Sequence, residues 1–503
     1  MINAAVELNR VICRTARLSR DPRFDGKFFI AVRTTRVFCR PVCPARSPKE
    51  KNIAYYPSAA AALQAGFRAC LRCRPESWGT AVWGGTSTTV ARALRLIHEG
   101  ALDGDGEDAN VDALAERLGI GSRHLRRLFF QHLGATPIAV AQAQRLLSAK
   151  KLIDETTLPL TSIALASRFG SIRRFNAAFQ ATYGRSPREL RRASSSASIS
   201  GPCTLQLSFR PPYDYDALLH FLAKRAIAGV EYIHGDVYRR SFVLDGQAGW
   251  LEVRPCASHA LTLSVNLVGP NRLLHVVARV RRMFDLDADP LAINSSLRRD
   301  PLLARLIKAR AGLRVPGAWD GFELGVRAIL GQQVSVAGAS TLTARLAARF
   351  GHPLPFQIEG LACTFPTADE LVRADLAIGI PASRAEAIRE FARAVATGTL
   401  AFDSLESATF VERLSAIRGL GPWTAQYIAM RALSDPDAFP AGDLVLLRAS
   451  GLKTTAELER HAERWRPWRA YAAMHLWQGV KDGTINLLHV DGKPHRKAAA
   501  GGG

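Results

Sequence analysis

LSAIRGLGPWTAQYIA, residues 414–429, reads as a helix, a Gly-x-Gly turn and a second helix. Gly419 and Gly421 would let backbone amides approach a phosphate closely, and the N-terminus of the helix that follows favours an anion. Alone, such a segment could be an ordinary helical corner. Twenty-two residues after Gly421 stands Asp443, in FPAGDL, residues 439–444. An acid after a Pro/Gly turn is a candidate catalytic carboxylate. The plainer use of an Asp at such a place is to cap a helix.

Working outward, residues 290–478 keep a helical pattern, and the chain before them is strand-rich. Residues 241–244 and 249–254 flank Asp245-Gly246, a hairpin signal. Residues 261–267 alternate apolar and polar side chains and supply a third strand. Ser-rich residues 194–202 have the composition of a linker, and 490–503 that of a disordered tail. At 503 residues the chain should hold several domains, since single cores rarely exceed about 250–300 residues. No run of eighteen apolar residues exists, so no membrane span is expected. Residues 1–21 carry scattered arginines and no apolar h-region, unlike a secretory signal. A reducing, cytoplasmic and nucleoid-associated setting is expected, where paired cysteines mean metal more often than disulfide.

The N-terminal end carries such pairs. Cys39 and Cys43, then Cys70 and Cys73, are four of only eight cysteines in the chain. Two close pairs split by an intervening stretch can converge on one Zn2+ with four thiolate ligands. A purely structural site is the ordinary reading of such spacing. Arg36, Arg40, Arg46, Arg68, Arg72 and Arg74 flank the ligands, where they would draw phosphate. The net charge is +23. Residues 1–200 hold 31 Lys and Arg against 15 Asp and Glu, whereas residues 201–503 hold 36 against 29. The basic part points to a polyanion such as nucleic acid. An arginine-favouring genome would leave the same composition, so motifs must decide.

Between the cysteines and the linker the chain reads as all helix, with one pattern occurring twice. In the first copy a helix from Val111 precedes Gly119-Ile-Gly121 and a second helix, with Ser122 as its expected N-cap. Leu125, Leu128 and Phe129 turn inward, leaving Arg123, Arg126 and Arg127 to project. In the second copy Phe175 and Phe179 pack while Arg173 and Arg174 remain available. Thr136-Pro137 starts the helix that joins the copies. These five arginines are candidate DNA contacts; the alternative for each is a solvated surface charge.

Family resemblances now give the motifs chemical content. FIAVRTTRVFCRPVC (29–43) with AGFRACLRCRP (65–75) resembles the zinc domain of the Ada adaptive-response family. The resemblance implies that Cys39 accepts a methyl group from a DNA methylphosphotriester. AFQATYGRSPREL (178–190) is similar to AraC-type regulators, whose second helices enter the major groove. The Pro-Cys-His-Arg motif of the Ada alkylguanine transferase is absent. The hairpin with Asp443 resembles helix-hairpin-helix DNA glycosylases. PPYD (211–214), RAILGQQVS (327–335) and AERWRPWRAY (462–471) narrow the likeness to 3-methyladenine-DNA glycosylase II. That resemblance implies Asp443 as the catalytic carboxylate, Trp423, Tyr427 and Trp477 as walls of the base pocket, and Gln332 and Gln333 in the loop that probes the duplex. Trp423 stands where bifunctional relatives place a Schiff-base lysine, and no cysteine follows Cys363 to hold an iron–sulfur cluster. A monofunctional glycosylase is implied.

The expected architecture is multidomain and mainly α. It comprises a zinc-stapled α+β domain (1–80), an all-α double helix-turn-helix domain (85–193) and the linker (194–202). An antiparallel-sheet α+β domain (203–289), an all-α helix-hairpin-helix domain (290–483) and a tail (484–503) complete it. The expected partners are double-stranded DNA and RNA polymerase, with the chain acting as a monomer. The competing reading is a methylation-sensing activator whose glycosylase part is weak or inactive.

Overall fold

The structure, a computed structural model, describes residues 8–21, 24–45, 47–73, 75, 88–103, 110–156, 158–191, 202–256, 259–266, 272–402 and 407–485. Arg46, Arg74, the linker up to Gly201, Leu267 and the tail from residue 486 lie outside the described residues.

The N-terminal unit opens with helix α1 (Arg10–Leu18). Strands β1 (Phe29–Val32), β2 (Val37–Cys39) and β3 (Ile53–Tyr56), helix α2 (Ala59–Gln64) and strand β4 (Arg68–Ala69) follow. The sheet order is β3-β1-β2-β4. Strands β2 and β4 run parallel with Phe38 opposite Ala69, so Cys39 and Cys70 emerge side by side. The unit does not depend on a core of its own. One apolar cluster joins Phe29, Ala31 and Phe38 to Phe175 and Phe179 of the helical segment and to Leu205 and Leu207 beyond the linker.

The helical segment contains α3 (Thr88–Glu99), α4 (Val111–Arg117), α5 (Ser122–Leu133), α6 (Pro137–Glu155), α7 (Leu160–Ala166), α8 (Ile172–Tyr183) and α9 (Pro187–Leu190). Thr136 caps α6 through Ala139 N, with Pro137 in the first turn as expected. The cap of α5 differs from the expectation. Gly121 occupies the N-cap, in extended conformation and without a side-chain bond, and Ser122 is already helical. In the second copy Ser171 does cap, accepting from Arg174 N.

The next unit is a five-stranded antiparallel sheet of order β5-β9-β8-β7-β6. Its strands are β5 (Cys203–Ser208), β6 (Glu231–His234), β7 (Val237–Leu244), β8 (Gln247–Cys256) and β9 (Ala260–Asn266). Asp245 and Gly246 turn the β7–β8 hairpin, both with positive φ (51° and 75°), as a type I′ turn requires. Helices α10 (Tyr215–Ala223) and α11 (Leu273–Met283) bury Tyr215, Leu218, Val276 and Val280 in the cluster that includes the sheet.

A second core forms within the helices that follow: α12 (Pro290–Leu297), α13 (Pro301–Ala309), α14 (Gly321–Leu330), α15 (Val336–Phe350), α16 (Ala368–Val372), α17 (Ala382–Ala396), α18 (Ser407–Ser415), α19 (Pro422–Ala432), α20 (Leu444–Ser450), α21 (Thr455–Ala462) and α22 (Arg469–Lys481). The uninterrupted helix expected here is broken by a two-stranded ribbon, β10 (Pro353–Ile358) with β11 (Leu361–Cys363). Val326, Ile329, Phe391, Ile428 and Leu476 are buried at the centre. Helix α19 packs on α14 and α18, and α20 packs on α22, which brings the hairpin, the Asp443 turn and Trp477 together. Among the described residues no helix is long and apolar enough to cross a membrane.

Candidate active site and metal centre

Asp443 is the N-cap of α20 and the focus of two indoles at once. Its Oδ1 accepts from Val445 N (2.9 Å), Leu446 N (3.0 Å) and Trp477 Nε1 (3.1 Å). Its Oδ2 accepts from Trp423 Nε1 alone among the described contacts, at 3.1 Å. Four N–H donors and a helix N-terminus therefore complement one carboxylate charge. The two oxygens are unequal: Oδ1 is saturated, and Oδ2 keeps capacity for a further partner. The capping role and the candidate catalytic role thus belong to the same side chain.

Trp423 stacks on Tyr427 with ring centroids 5.3 Å apart and planes 7° from parallel. Behind them lies Arg431, one turn further along α19 and buried. Its Nη1 donates to Tyr427 Oη at 2.8 Å, while Nε and Nη2 donate to the carbonyls of Pro316 and Gly317. Burial alone would raise the Tyr427 phenol, but the Arg431, Arg225 and Arg327 guanidiniums hold it below its ordinary value. Arg431 was not singled out by motif. Its spacing from Tyr427, four residues on one helix, was the available signal.

Gly419 adopts φ +87°, a conformation that favours glycine, and Gly421 caps α19 without a side chain. The helix N-terminus is thus unobstructed by a capping side chain. Gln332 does not stand free beside it: its Nε2 donates to Gly419 O at 2.8 Å and to Thr424 Oγ1 at 3.2 Å. Arg384 Nη2 holds the Gln332 carbonyl at 2.8 Å. The Gln332 side chain therefore braces the loop against the hairpin. Gln333 is the exposed member of the pair, held at φ 57°. Beneath the loop, Arg327 donates to Glu231 Oε2 and Glu323 Oε1, each at 3.1 Å, and Arg240 pairs with Glu323 at 2.6 Å. Burial pushes the Glu231 carboxyl up, but Arg327 and Arg240 overcome it and hold the carboxyl low. This charged layer ties the loop-bearing helix to the sheet; the pattern of single residues gave no sign of it.

At the other end of the chain, ligand atoms of Cys39, Cys43, Cys70 and Cys73 all lie within 4.8 Å of one another. Four sulfurs about 2.3 Å from a central ion fit that spacing. Hydrogen bonds with Cys43, Cys70 and Cys73, then burial, push the Cys39 thiol up. The bond with Cys39 holds Cys43 down to about 7 and Cys70 lower still. Left to themselves the four groups share protons, and a divalent cation is what lets all four be thiolates. The chain holds one Zn2+ through these four cysteines. Purified protein is expected to contain one zinc per chain. Cys70→Ser should lower that content and speed amide hydrogen exchange in residues 8–75; full zinc occupancy in that variant would contradict the ligand set.

Cys70 and Cys73 are buried, while Cys39 and Cys43 are half-buried. The flanking arginines divide. Arg72 is exposed, whereas Arg40 is largely buried, donating from Nε to Asp25 Oδ1 at 2.8 Å and from Nη1 to the Cys73 carbonyl at 3.2 Å. Arg40 therefore supports the metal loop and does not lie open to a phosphate. Arg36 lies over the Phe67 ring at 5.4 Å. Arg123, Arg126, Arg127, Arg173 and Arg174 are all exposed, opposite buried Leu125, Phe129, Phe175 and Phe179.

Four families match successive parts of the chain: the metal binding domain of Ada (12–76), a helix-turn-helix domain (114–193), the AlkA N-terminal domain (204–320) and the HhH-GPD superfamily of base excision DNA repair proteins (326–467). Fold and site together define a helix-hairpin-helix glycosylase preceded by an Ada-type zinc domain and a paired helix-turn-helix. A Mycobacterium tuberculosis protein named "Probable bifunctional transcriptional activator/DNA repair enzyme AlkA" is 41% identical over 477 residues, 92% of this chain and 95% of its own length. The chain belongs to this family of bifunctional AlkA proteins. DNA-3-methyladenine glycosylase 2 of Escherichia coli is 39% identical over 279 residues, covering 54% of this chain and 95% of that protein. The Escherichia coli "Bifunctional transcriptional activator/DNA repair enzyme Ada" is 37% identical over 146 residues, covering 29% of this chain and 39% of that protein.

Proposed function

We propose that Asp443 carries out the glycosylase reaction and that Cys39 is the methyl acceptor of this chain. The chain is a DNA-alkylation repair enzyme and transcription activator that binds double-stranded DNA. Its C-terminal half hydrolyses the N-glycosidic bond of alkylated purines such as 3-methyladenine, and its zinc domain takes methyl groups from DNA phosphotriesters.

The observation that carries the Asp443 assignment is the unequal pair of carboxylate oxygens. An N3- or N7-alkylated purine is already cationic and departs without strong acid help. What the reaction needs is a fixed negative charge beside the oxocarbenium-like sugar and an acceptor for a water proton. Oδ1, anchored by three donors, fixes the carboxylate, and Oδ2 faces the sugar and the water. The Trp423–Tyr427 stack offers a face to the electron-poor base once it has left the duplex. Gly419 and Gly421 hold a backbone phosphate, and Gln333 meets the duplex while Gln332 positions its loop. Trp423→Phe keeps an aromatic face but removes the Oδ2 donor. Single-turnover base release should fall about 10-fold or more with lesion binding retained; an unchanged rate would argue against this use of Oδ2.

In the zinc domain, partial exposure singles out Cys39 and Cys43, and the family likeness selects Cys39. Zinc, when bound, keeps the sulfurs as thiolates at neutral pH. Cys39 Sγ attacks the methyl carbon, the methyl–oxygen bond breaks, and the DNA leaves as a phosphodiester anion. The resulting thioether carries no charge, so the cysteine cluster repels DNA less. Arg123, Arg126, Arg127, Arg173 and Arg174 contact promoter DNA. The domain limits at 80, 85–193, 203–289 and 290–483 follow the same reading, as do a monomeric chain, an RNA polymerase contact and a place on the cytoplasmic nucleoid. The decisive experiment for the glycosylase is the Asp443→Asn comparison argued in the Discussion.

A further inference from the structure

The two helix-turn-helix units superimpose position by position at an offset of fifty residues. Buried Leu125, Phe129 and Leu133 correspond to buried Phe175, Phe179 and Tyr183. Helices α5 and α8 end in the same way, at Gly134 and Gly184, each with φ 65° and ψ 17°. The frames are equivalent, so any difference between their outer faces is a difference in what they read.

Those faces differ in one chemical direction. On α5 the outward stripe, spaced i, i+3 and i+4, is Arg123, Arg126 and Arg127, all exposed. On α8 the same three positions are Arg173, Asn176 and Ala177, and Gln180 follows one turn on, all exposed. The first helical position changes from Ser122 to Ile172, which is 41% exposed. Guanidiniums offer only donors and suit guanine O6 and N7 or phosphate. Side-chain amides both donate and accept, matching adenine N7 and N6, while small or apolar groups suit the thymine methyl. Asn176, Gln180, Ala177 and Ile172 all favour A·T pairs. The connector α6 has 19 residues, about 28 Å at 1.5 Å per residue. That length is comparable with one turn of duplex, about 34 Å.

We infer that the two units read unlike half-sites, α5 a guanine-containing one through Arg126 and α8 an adenine-containing one through Asn176, so the operator is asymmetric. This rests on the reading of the helical segment as the promoter-binding part, and it adds which base each unit selects.

The test is selection of bound duplexes from a random library by the full-length, zinc-loaded, Cys39-methylated protein, in parallel with Asn176→Ala, Asn176→Arg and Arg126→Ala. Both residues are exposed and outside the glycosylase, so unchanged base release by each variant certifies the fold. The wild-type chain should enrich two different blocks about one helical turn apart. Asn176→Ala should weaken the preference for adenine in one block by about 10-fold and leave the other untouched; Asn176→Arg should shift that position towards guanine. Arg126→Ala should flatten a guanine column in the opposite block. Two identical or palindromic blocks, or blocks unchanged in all three variants, would overturn the inference while leaving the regulator intact. Absence of any enriched block with the wild-type chain would overturn the promoter-binding reading itself.

Discussion

Asp443→Asn is expected to lower the release of 3-methyladenine from alkylated duplex by about 10³-fold while the protein stays folded. The reason lies in the two jobs of the side chain. Asn caps helices about as well as Asp, and its carbonyl oxygen can keep the bonds from Val445 N and Leu446 N that Oδ1 now accepts. The negative charge beside the sugar is lost. The group replacing Oδ2 is an amide that donates, and it cannot accept from Trp423 Nε1. Circular dichroism and the melting temperature should therefore change little as turnover disappears. Asp443→Ala would confuse the two effects, because removing a cap costs about 1 kcal/mol by itself. Measurable release at the wild-type rate by a folded Asp443→Asn protein would sink the assignment. It would not by itself favour the inactive-glycosylase alternative, which instead expects no release from the wild-type chain.

The second large effect belongs to Cys39. Exposure of the full chain to DNA carrying methylphosphotriesters should add one methyl group per protein, located by mass spectrometry on Cys39. Cys39→Ala should take up none, and a promoter reporter in cells bearing that variant should no longer respond to methylating agents. Base release should persist in the same protein, because Asp443 and its indole donors are untouched. Methyl uptake by Cys39→Ala, or a modified Cys43 in the wild-type chain, would overturn the choice between the two half-buried thiols.

The sequence was most legible where one residue type has one physical use. Paired cysteines announced a metal, Thr136-Pro137 announced a helix start, and Asp245-Gly246 announced a hairpin whose positive φ angles are present. Reading was weaker where a residue could serve two ends. Asp443 was divided between cap and catalyst, and the geometry assigns it the cap while leaving Oδ2 for the reaction. Arg40 looked like a phosphate ligand because neighbours in sequence were also basic; its partner Asp25 lies fifteen residues earlier and comes near only in the folded sheet. Gln332 was read by position in a motif, which shows nothing of an amide turned back onto Gly419. The β10–β11 ribbon was missed because a two-stranded insertion is too short to disturb a helical pattern of this length. The core shared by all three N-terminal units depends on packing across long separations, which no local period records.

The double employment of Asp443 bears on how this gene can fail. Most ways of damaging an active site also damage the protein, and quality control removes the product. Here the change from Asp to Asn needs a single nucleotide, keeps the helix, and spares the lesion pocket and the promoter-reading helices. Its product would persist, find alkylated bases and hold them uncut, shielding damage from other repair. Such an allele would be worse for the cell than deletion, and inheritance would pass it on as an intact-looking gene.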